Sequence, residues 1–411
     1  MGYEIISSGG TCKLLRENNV EATEVSDYTG FPECFEGRIK TLHPRIEGGI
    51  LFKRTEPDHQ KSAKKLGIAP IDIIVCNLYP FRETLNSGAS DTQIIENIDI
   101  GGPTMLRAAA KNYQDVTVVI YPSDYEKIIE ELQTKKEVSL ATKKELAGKV
   151  FNHTAQYDAM IAGYFNDTLG IAHPEQLTLT YDKIQDLRYG ENPHQKAAFY
   201  KQTQTSKGLL TNAEQLHGKE LSYNNISDTN GGLETLKEFS EPTVVAVKHG
   251  TACGVGSAKT LSEAYQKAYE ADPVSIFGGI VLANRIVDEP TATSMNKIFL
   301  EVVIAPDYTE KAFAILSKKK NVRILRLEDI AKNNDSKFVA KTVLGGLLLQ
   351  DADRELYNAD ELKVVTEKQP TEEQMQDLLF AWKMVKHAKS NGIVLAKNEQ
   401  SIGIGSGQVS R

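Results

Sequence analysis

Residues 71–76 (IDIIVC), an apolar run set between helical stretches, constrain this chain more than any other segment. An apolar strand without alternation suits a parallel sheet with helices on both faces, where neither side of the strand meets water. The rest of the first third follows the same rhythm. Residues 3–6 and 20–25 read as strands, 12–18 as a helix, 91–98 and 101–112 as two more, and 116–120 as a further strand. Long helical stretches over 123–134 and 140–165 complete the pattern of a doubly wound α/β domain.

With 411 residues the chain exceeds one ordinary core. Residues 166–186 hold no sustained helical period and carry Gly170 and Pro174, so a boundary falls there, giving domains over 1–172 and 176–411. The second domain is again mixed. Residues 243–248, 279–283 and 302–305 read as strands and 261–270 as a helix. An amphipathic helix is expected over 371–389, with Leu378, Phe380, Trp382 and Val385 in the core by default, followed by a hairpin of 392–396 and 401–404.

Charge narrows the function classes. Lys plus Arg number 48 against 55 Asp plus Glu, a net charge of -7, which argues against a general nucleic-acid binder. A locally basic pocket for a small anion stays compatible with that balance. Cys12, Cys34, Cys76 and Cys253 form no CxxC pair, so neither a disulfide framework nor a structural zinc is expected. No apolar run reaches membrane-spanning length and no signal pattern opens the chain, so no membrane contact and a cytoplasmic location are expected. A first strand at residue 3 and a stop at Arg411 just after a Gly-rich hairpin give the expectation of a sequence cut at both ends.

Several segments have the chemistry of a site. Ser8, Gly9, Gly10 and Thr11 join a strand to a helix, where small residues let backbone N–H groups approach an anion; a plain turn reads equally well there. Asp99, Ile100, Gly101, Gly102, Pro103 and Thr104 repeat the device at another helix start, and two such turns favour a phosphorylated ligand. Arg38, Lys40 and Thr41 place two cations in a segment of weak secondary structure, which composition alone would make a solvated loop. Asn77 and Tyr79 follow the IDIIVC strand at its carboxyl end, the edge where open α/β sheets bind ligands. Lys248 and His249 end another strand, where the imidazole could transfer protons or merely meet solvent. Arg188 and Tyr189 open a loop dense in anion-binding and ring-binding side chains.

Taken in order, the strings SGGT, TGFPE, GRIKTLHP, NLYPF, ENIDIGGPTMLRAAAKN, LRYGENPHQ, FGGI, VIAP, SNGIVLAKN and GIGSGQVSR resemble the bifunctional phosphoribosylaminoimidazolecarboxamide (AICAR) formyltransferase and IMP cyclohydrolase family over essentially the whole chain. The resemblance implies a methylglyoxal-synthase-like cyclohydrolase domain, followed by a transformylase domain of two cytidine-deaminase-like subdomains. The ligand phosphate would sit on Ser8 to Thr11 near Arg38, Lys40 and Thr41, with Lys40, Tyr79, Asp99 and Lys111 lining the cyclisation site. Asn77, Ile100, Gly101, Gly102 and Thr104 would complete that pocket. In the second domain His249 would carry the proton with Lys248 beside it, Arg188 and Tyr189 would bind nucleotide, and Phe277, Gly278, Glu301, Asn391 and Arg411 match other pocket positions.

The implied ligands are AICAR, formyl-AICAR and IMP, with 10-formyltetrahydrofolate as co-substrate and a homodimer as the assembly. Zinc deaminases need both HxE and PCxxC ligand sets; no PCxxC string occurs here, so no catalytic metal is expected. Three departures accompany the resemblance. The family's opening strand with its SDKTG-type loop does not precede Met1, its closing segment does not follow Arg411, and Gly250, Thr251 and Ala252 stand where many bacterial members read TNP after Lys-His. Low transformylase activity is therefore expected of residues 1–411. The alternative reading is a catalytically impaired remnant that binds purine ribotides or dimerises.

Overall fold

A computed structural model describes residues 2–203, 207–332 and 338–410. The chain divides into two units, Met1–Thr180 and Tyr181–Arg411, a few residues beyond the boundary expected from sequence.

In the first unit two parallel strand pairs form, Ile6–Ser7 with Thr23–Glu24 and Ile73–Val75 with Thr117–Val119. Thr117–Val119 is buried along its length. The helices Pro44–Leu51, Gly101–Lys111 and Leu140–Thr168 supply Ile46, Ile50, Leu106, Ala109, Leu146 and Val150 to the core around Val118. The expectation that IDIIVC is buried on both faces fails. Ile74 is buried and Ile71 and Ile73 pack partly buried against the same core, but Val75 is 58% exposed, so one face loses its cover at the end of this strand.

The second unit is built on an eight-stranded sheet in the order Ile393–Lys397, Gln400–Gly405, Thr251–Ser257, Thr243–Lys248, Ile280–Ala283, Val302–Ala305, Arg323–Arg326 and Glu214–His217. Side chains alternate between two cores, as the strand period requires. Val244, Ala246, Val281, Val303 and Ala305 pack one face with Leu261, Ala264 and Ala268 of the helix Leu261–Ala271. Val245, Val247, Leu282, Val302 and Ile304 pack the other with Leu233 and Leu236 of the helix Tyr223–Leu236 and Phe380 of the helix Glu372–Val385. Burial on both faces explains why these strands read as unbroken apolar runs.

The 166–186 stretch is not all linker. The long helix runs on to Thr168, and Tyr181–Leu187 pairs with Ala197–Gln202 as a hairpin. Leu378 and Trp382, expected in the core, are 55% and 45% exposed, because Phe380 and Met384 form the inward stripe of their helix. No helix is long and apolar enough to cross a membrane among the described residues.

Candidate functional site

Two helix starts and one connecting segment build the site of the first unit. The helix Gly9–Glu17 begins after Ser8, whose side chain makes no capping bond, and Glu24 Oε1 accepts the Gly9 N–H at 3.1 Å. Lys40 Nζ lies 3.8 Å from the position a Gly9 Cβ would take and 3.7 Å from Glu33 Oε1. The next residue, Thr41, puts its Oγ1 2.8 Å from the position a Gly101 Cβ would take. Residues 40 and 41 thus lie against both helix starts. Each start directs backbone N–H groups and the positive end of a helix dipole into the same region.

Asp99 is pinned by the backbone around it. Its Oδ1 accepts the Gly102 N–H at 2.8 Å and its Oδ2 accepts the Tyr79 N–H at 3.3 Å. A Cβ on Gly102 would lie 2.6 Å from Asp99 Oδ2 and 2.8 Å from Leu78 Cδ2, so glycine there makes room for the carboxylate. Tyr157 closes the back of the cluster. Its hydroxyl accepts the Asp99 N–H and donates to the Asn97 carbonyl, and burial pushes its phenol above the ordinary value. The Tyr79 ring is 49% exposed and Ile100 60% exposed at the helix start.

Other expected residues are engaged differently. Arg38 pairs with Glu96 at the surface, and that carboxylate raises its proton affinity. Thr104 Oγ1 donates to the Ile100 carbonyl at 2.8 Å, and Asn77 Nδ2 donates to the Ile120 carbonyl at 2.7 Å, tying together the ends of the paired strands Ile73–Val75 and Thr117–Val119. Lys111 closes the helix that Gly101 opens, about 15 Å along its axis at 1.5 Å per residue.

The second unit gathers its candidates at one end of the large sheet. Strand register sets Val247 opposite Ile280 and Ile280 beside Val302, so Lys248, Gly278 and Glu301 lie on adjacent strands at the same edge. Lys248 Nζ donates to the Phe277 carbonyl at 2.5 Å, and a Cβ on Gly278, which stands at φ 70, would lie 3.5 Å from that ammonium. Phe277 packs at 6.1 Å from Phe299. His249 and Gly250, at φ 53 and 72, form a two-residue turn between Lys248 and its partner Thr251. Paired positive φ values are what a type I′ hairpin requires, and histidine is among the residues that tolerate them. The segment after Lys248-His249 is therefore a hairpin into the strand Thr251–Ser257.

The helix Tyr223–Leu236 borders this edge. Asn225 Nδ2 donates to Glu301 Oε2 at 2.7 Å, and Asp228 Oδ1 lies 3.9 Å from the position a Gly250 Cβ would take. Asn224 Nδ2 reaches the Glu191 carbonyl at 3.5 Å, which brings the 188–194 loop alongside; there the Arg188 guanidinium sits 5.7 Å from the Tyr189 ring. Asn391 exchanges bonds with the backbone of Gln408, and the antiparallel pairing of Ile393 with Gly405 and of Gln400 with Gly256 places it at this same end of the sheet. Arg411 lies outside the described residues. No group of three or more His, Cys, Asp or Glu is arranged to hold a metal ion among the described residues.

Asn225, Asp228, Tyr157 and Glu24 were not singled out from sequence. Only the spacing Ser222-x-x-Asn225, a capping-box pattern that the structure forms, marked the neighbourhood of the first two.

The MGS-like domain family matches residues 1–104, and the AICARFT/IMPCHase bienzyme family matches residues 109–411. The chain is 58% identical over 414 residues to the bifunctional purine biosynthesis protein PurH of Acetivibrio thermocellus, covering 100% of this chain and 80% of that one. It is 56% identical over 413 residues to the protein of the same name from Ruminiclostridium cellulolyticum, and 50% identical over 412 residues to that of Bacillus subtilis, with the same coverage.

Proposed function

This chain belongs to the AICARFT/IMPCHase bienzyme family, and we propose that its first unit closes the purine ring while its second transfers the formyl group. It is a bifunctional enzyme of purine biosynthesis, an AICAR formyltransferase and IMP cyclohydrolase. We further propose 10-formyltetrahydrofolate as the formyl donor, no catalytic metal, and a homodimer working in the cytoplasm. Similarity over the whole chain favours the enzyme over a binding remnant.

Formyl transfer joins the weakly nucleophilic aromatic amine of AICAR to the formyl carbon and breaks that carbon's bond to the folate nitrogen. A proton must leave the amine and one must reach the departing nitrogen. His249 is the group assigned to carry it, since an imidazole can both accept and donate a proton and this one is exposed on its turn. Lys248, held on the Phe277 carbonyl beside the turn, supplies positive charge for the developing oxyanion.

Ring closure asks less of the protein. The carboxamide nitrogen of formyl-AICAR attacks a formyl carbon in the same molecule and water departs, so holding the folded conformer provides most of the advantage. The two helix starts bridged by Lys40 and Thr41 suit the phosphate, and Lys40 and Tyr79 offer an ammonium and a phenol that can donate to the oxygen that leaves. The observation that carries the two-site reading is the convergence of Lys248, His249, Gly278 and Glu301 on one sheet edge of the second unit.

The test is to assay both steps separately in the parent chain and in His249→Ala. Formyl transfer should fall by at least about 100-fold while IMP formation from supplied formyl-AICAR stays within about twofold. Equal loss of both activities would sink the two-site assignment.

A further inference from the structure

We propose that Asn225 is a positioning residue for Glu301: its side-chain amide holds one carboxylate oxygen, so that the other meets a hydrogen-bond donor of the bound ribotide. The inference rests on the reading of this sheet edge as the formyl-transfer site.

Glu301 combines a fixed backbone with a long side chain. Its N–H donates to the Gly279 carbonyl at 2.9 Å on one side, and its carbonyl accepts the Arg323 N–H at 3.0 Å on the other. The main chain is thus tied to both neighbouring strands, while the glutamate side chain keeps several torsions whose ordering costs entropy. A carboxylate that must meet a ligand in one pose binds better when it is ordered beforehand. Asn225 Nδ2 supplies that hold, donating to Glu301 Oε2 at 2.7 Å.

The donor is itself held. Asn225 is 4% exposed and is the third residue of the helix Tyr223–Leu236. Its backbone N–H donates to Ser222 Oγ at 3.1 Å, and its Oδ1 accepts the Ser222 N–H at 3.1 Å. With Oδ1 committed to that N–H, the amide turns its Nδ2 to Glu301. A flipped amide would set NH2 against the Ser222 N–H and oxygen against the carboxylate, losing both bonds. The helix lies directly on the sheet, since a Cβ on Gly232 would meet Leu282 at 2.4 Å and Val247 at 2.6 Å.

Other helices show what capping alone asks for. Those opening at Asp91, Leu261 and Glu372 form the same reciprocal cap, and their third residues are Gln93, Glu263 and Gln374, all exposed. Glutamate or glutamine is the ordinary choice at this place. A glutamate at 225 would serve the cap and turn its second oxygen on Glu301, carboxylate against carboxylate. Asparagine keeps the accepting oxygen and offers a donor beyond it. Burial against Glu301 is what sets this cap residue apart from the other three.

The experiment measures the kinetics of both steps in Asn225→Ala, Asn225→Asp, Glu301→Ala and the Asn225→Ala/Glu301→Ala double variant of the full chain. Ser222→Ala is the capping control, because it removes Oγ and keeps the backbone N–H that orients Asn225. Asn225→Ala should raise the AICAR KM at least about tenfold, as loss of a bond to a charged group predicts, with kcat within about threefold. The 10-formyltetrahydrofolate KM and ring closure should stay at parent values. Asn225→Asp, which keeps the cap oxygen and loses the donor, should do the same. In the Glu301→Ala background Asn225→Ala should change the AICAR KM by less than about twofold, because no carboxylate is left to hold. Ser222→Ala should lower the unfolding temperature and leave the AICAR KM within about twofold of the parent.

An AICAR KM within about twofold of the parent in both Asn225 variants overturns the positioning role. A rise as large in the Glu301→Ala background as in the parent overturns it too, and so does a rise matched by Ser222→Ala, which would leave Asn225 a helix cap and nothing more. Where AICAR binds without turnover, equilibrium dissociation constants give the same ratios. A parent chain that neither turns over nor binds AICAR would overturn the functional reading of this edge, and the inference with it.

Discussion

The Tyr157 hydroxyl accepts the backbone N–H of Asp99 at 2.7 Å and donates its own proton to the Asn97 carbonyl at 3.1 Å. Tyr157 is 3% exposed, and its ring meets Phe81 edge-on at 6.0 Å. Through one oxygen atom the long helix Leu140–Thr168 fixes the segment that presents Asp99 to Gly102 and Tyr79.

Tyr157→Phe keeps the ring packing and removes only that oxygen. The Asp99 N–H and the Asn97 carbonyl each lose a partner, and an unsatisfied buried group costs about 1–3 kcal/mol. The first unit should lose stability by about that amount, and ring closure should slow because Asp99 is no longer held, while formyl transfer stays at the parent rate. Chemical unfolding followed in the first unit, beside separate assays of the two steps, checks this. Parent-like stability and ring closure would show that the hydroxyl holds nothing of consequence.

Acid should loosen a different joint in the same unit. The Glu131 carboxylate accepts the Ser139 N–H at 2.8 Å, the Ser139 hydroxyl at 3.1 Å and the Thr142 hydroxyl at 3.1 Å, with Lys135 Nζ at 3.2 Å. These contacts, the Ser139 backbone N–H foremost, hold its pKa down to about 2 from an ordinary 4.5. The folded value lies below the unfolded one, so the stabilisation is complete above the unfolded pKa and is lost as pH falls from 4.5 toward about 2. Glu131→Gln should therefore speed amide exchange at the start of the Leu140–Thr168 helix at about pH 7, with the difference from the parent shrinking toward about pH 3. A gap that stays constant with pH would refute the ionised cap.

The sequence was most readable where one interaction dominates. Val302–Ala305 forms as expected because an unbroken apolar run between turns has only the middle of a covered sheet to occupy. In the same sheet, Thr251–Ser257 was not expected as a strand, because Gly254 and Gly256 weaken any strand signal. Those glycines answer a tertiary demand. Cβ atoms there would lie 2.1 Å from the Ala268 carbonyl oxygen and 2.6 Å from that of Ala264, so the helix Leu261–Ala271 packs on bare backbone. In the site the divide is similar. Lys40, Asp99, Lys248 and His249 stand in motifs at element ends, where residue type alone suggests chemistry. Tyr157 lies inside a helix, and its role comes from which backbone groups the fold brings to its hydroxyl. No local pattern encodes that.

Gly231 gives a test in which intrinsic propensity and tertiary packing pull in opposite directions. It lies inside the helix Tyr223–Leu236, where alanine is favoured over glycine by about 1 kcal/mol. Yet a Cβ on Gly231 would lie 2.6 Å from the Gly250 carbonyl oxygen, a backbone atom that cannot rotate away. Gly231→Ala must therefore push the helix and the His249 turn apart. Gly148, inside Leu140–Thr168 with nothing within 4 Å of its Cβ position, provides the control. Gly148→Ala should stabilise its unit by up to about 1 kcal/mol and leave both activities alone. Gly231→Ala should destabilise the second unit despite its gain in helix propensity, and slow formyl transfer at least about tenfold without touching ring closure. Stabilisation by both substitutions, with formyl transfer unchanged, would mean that the close approach of helix to turn does not set the position of His249.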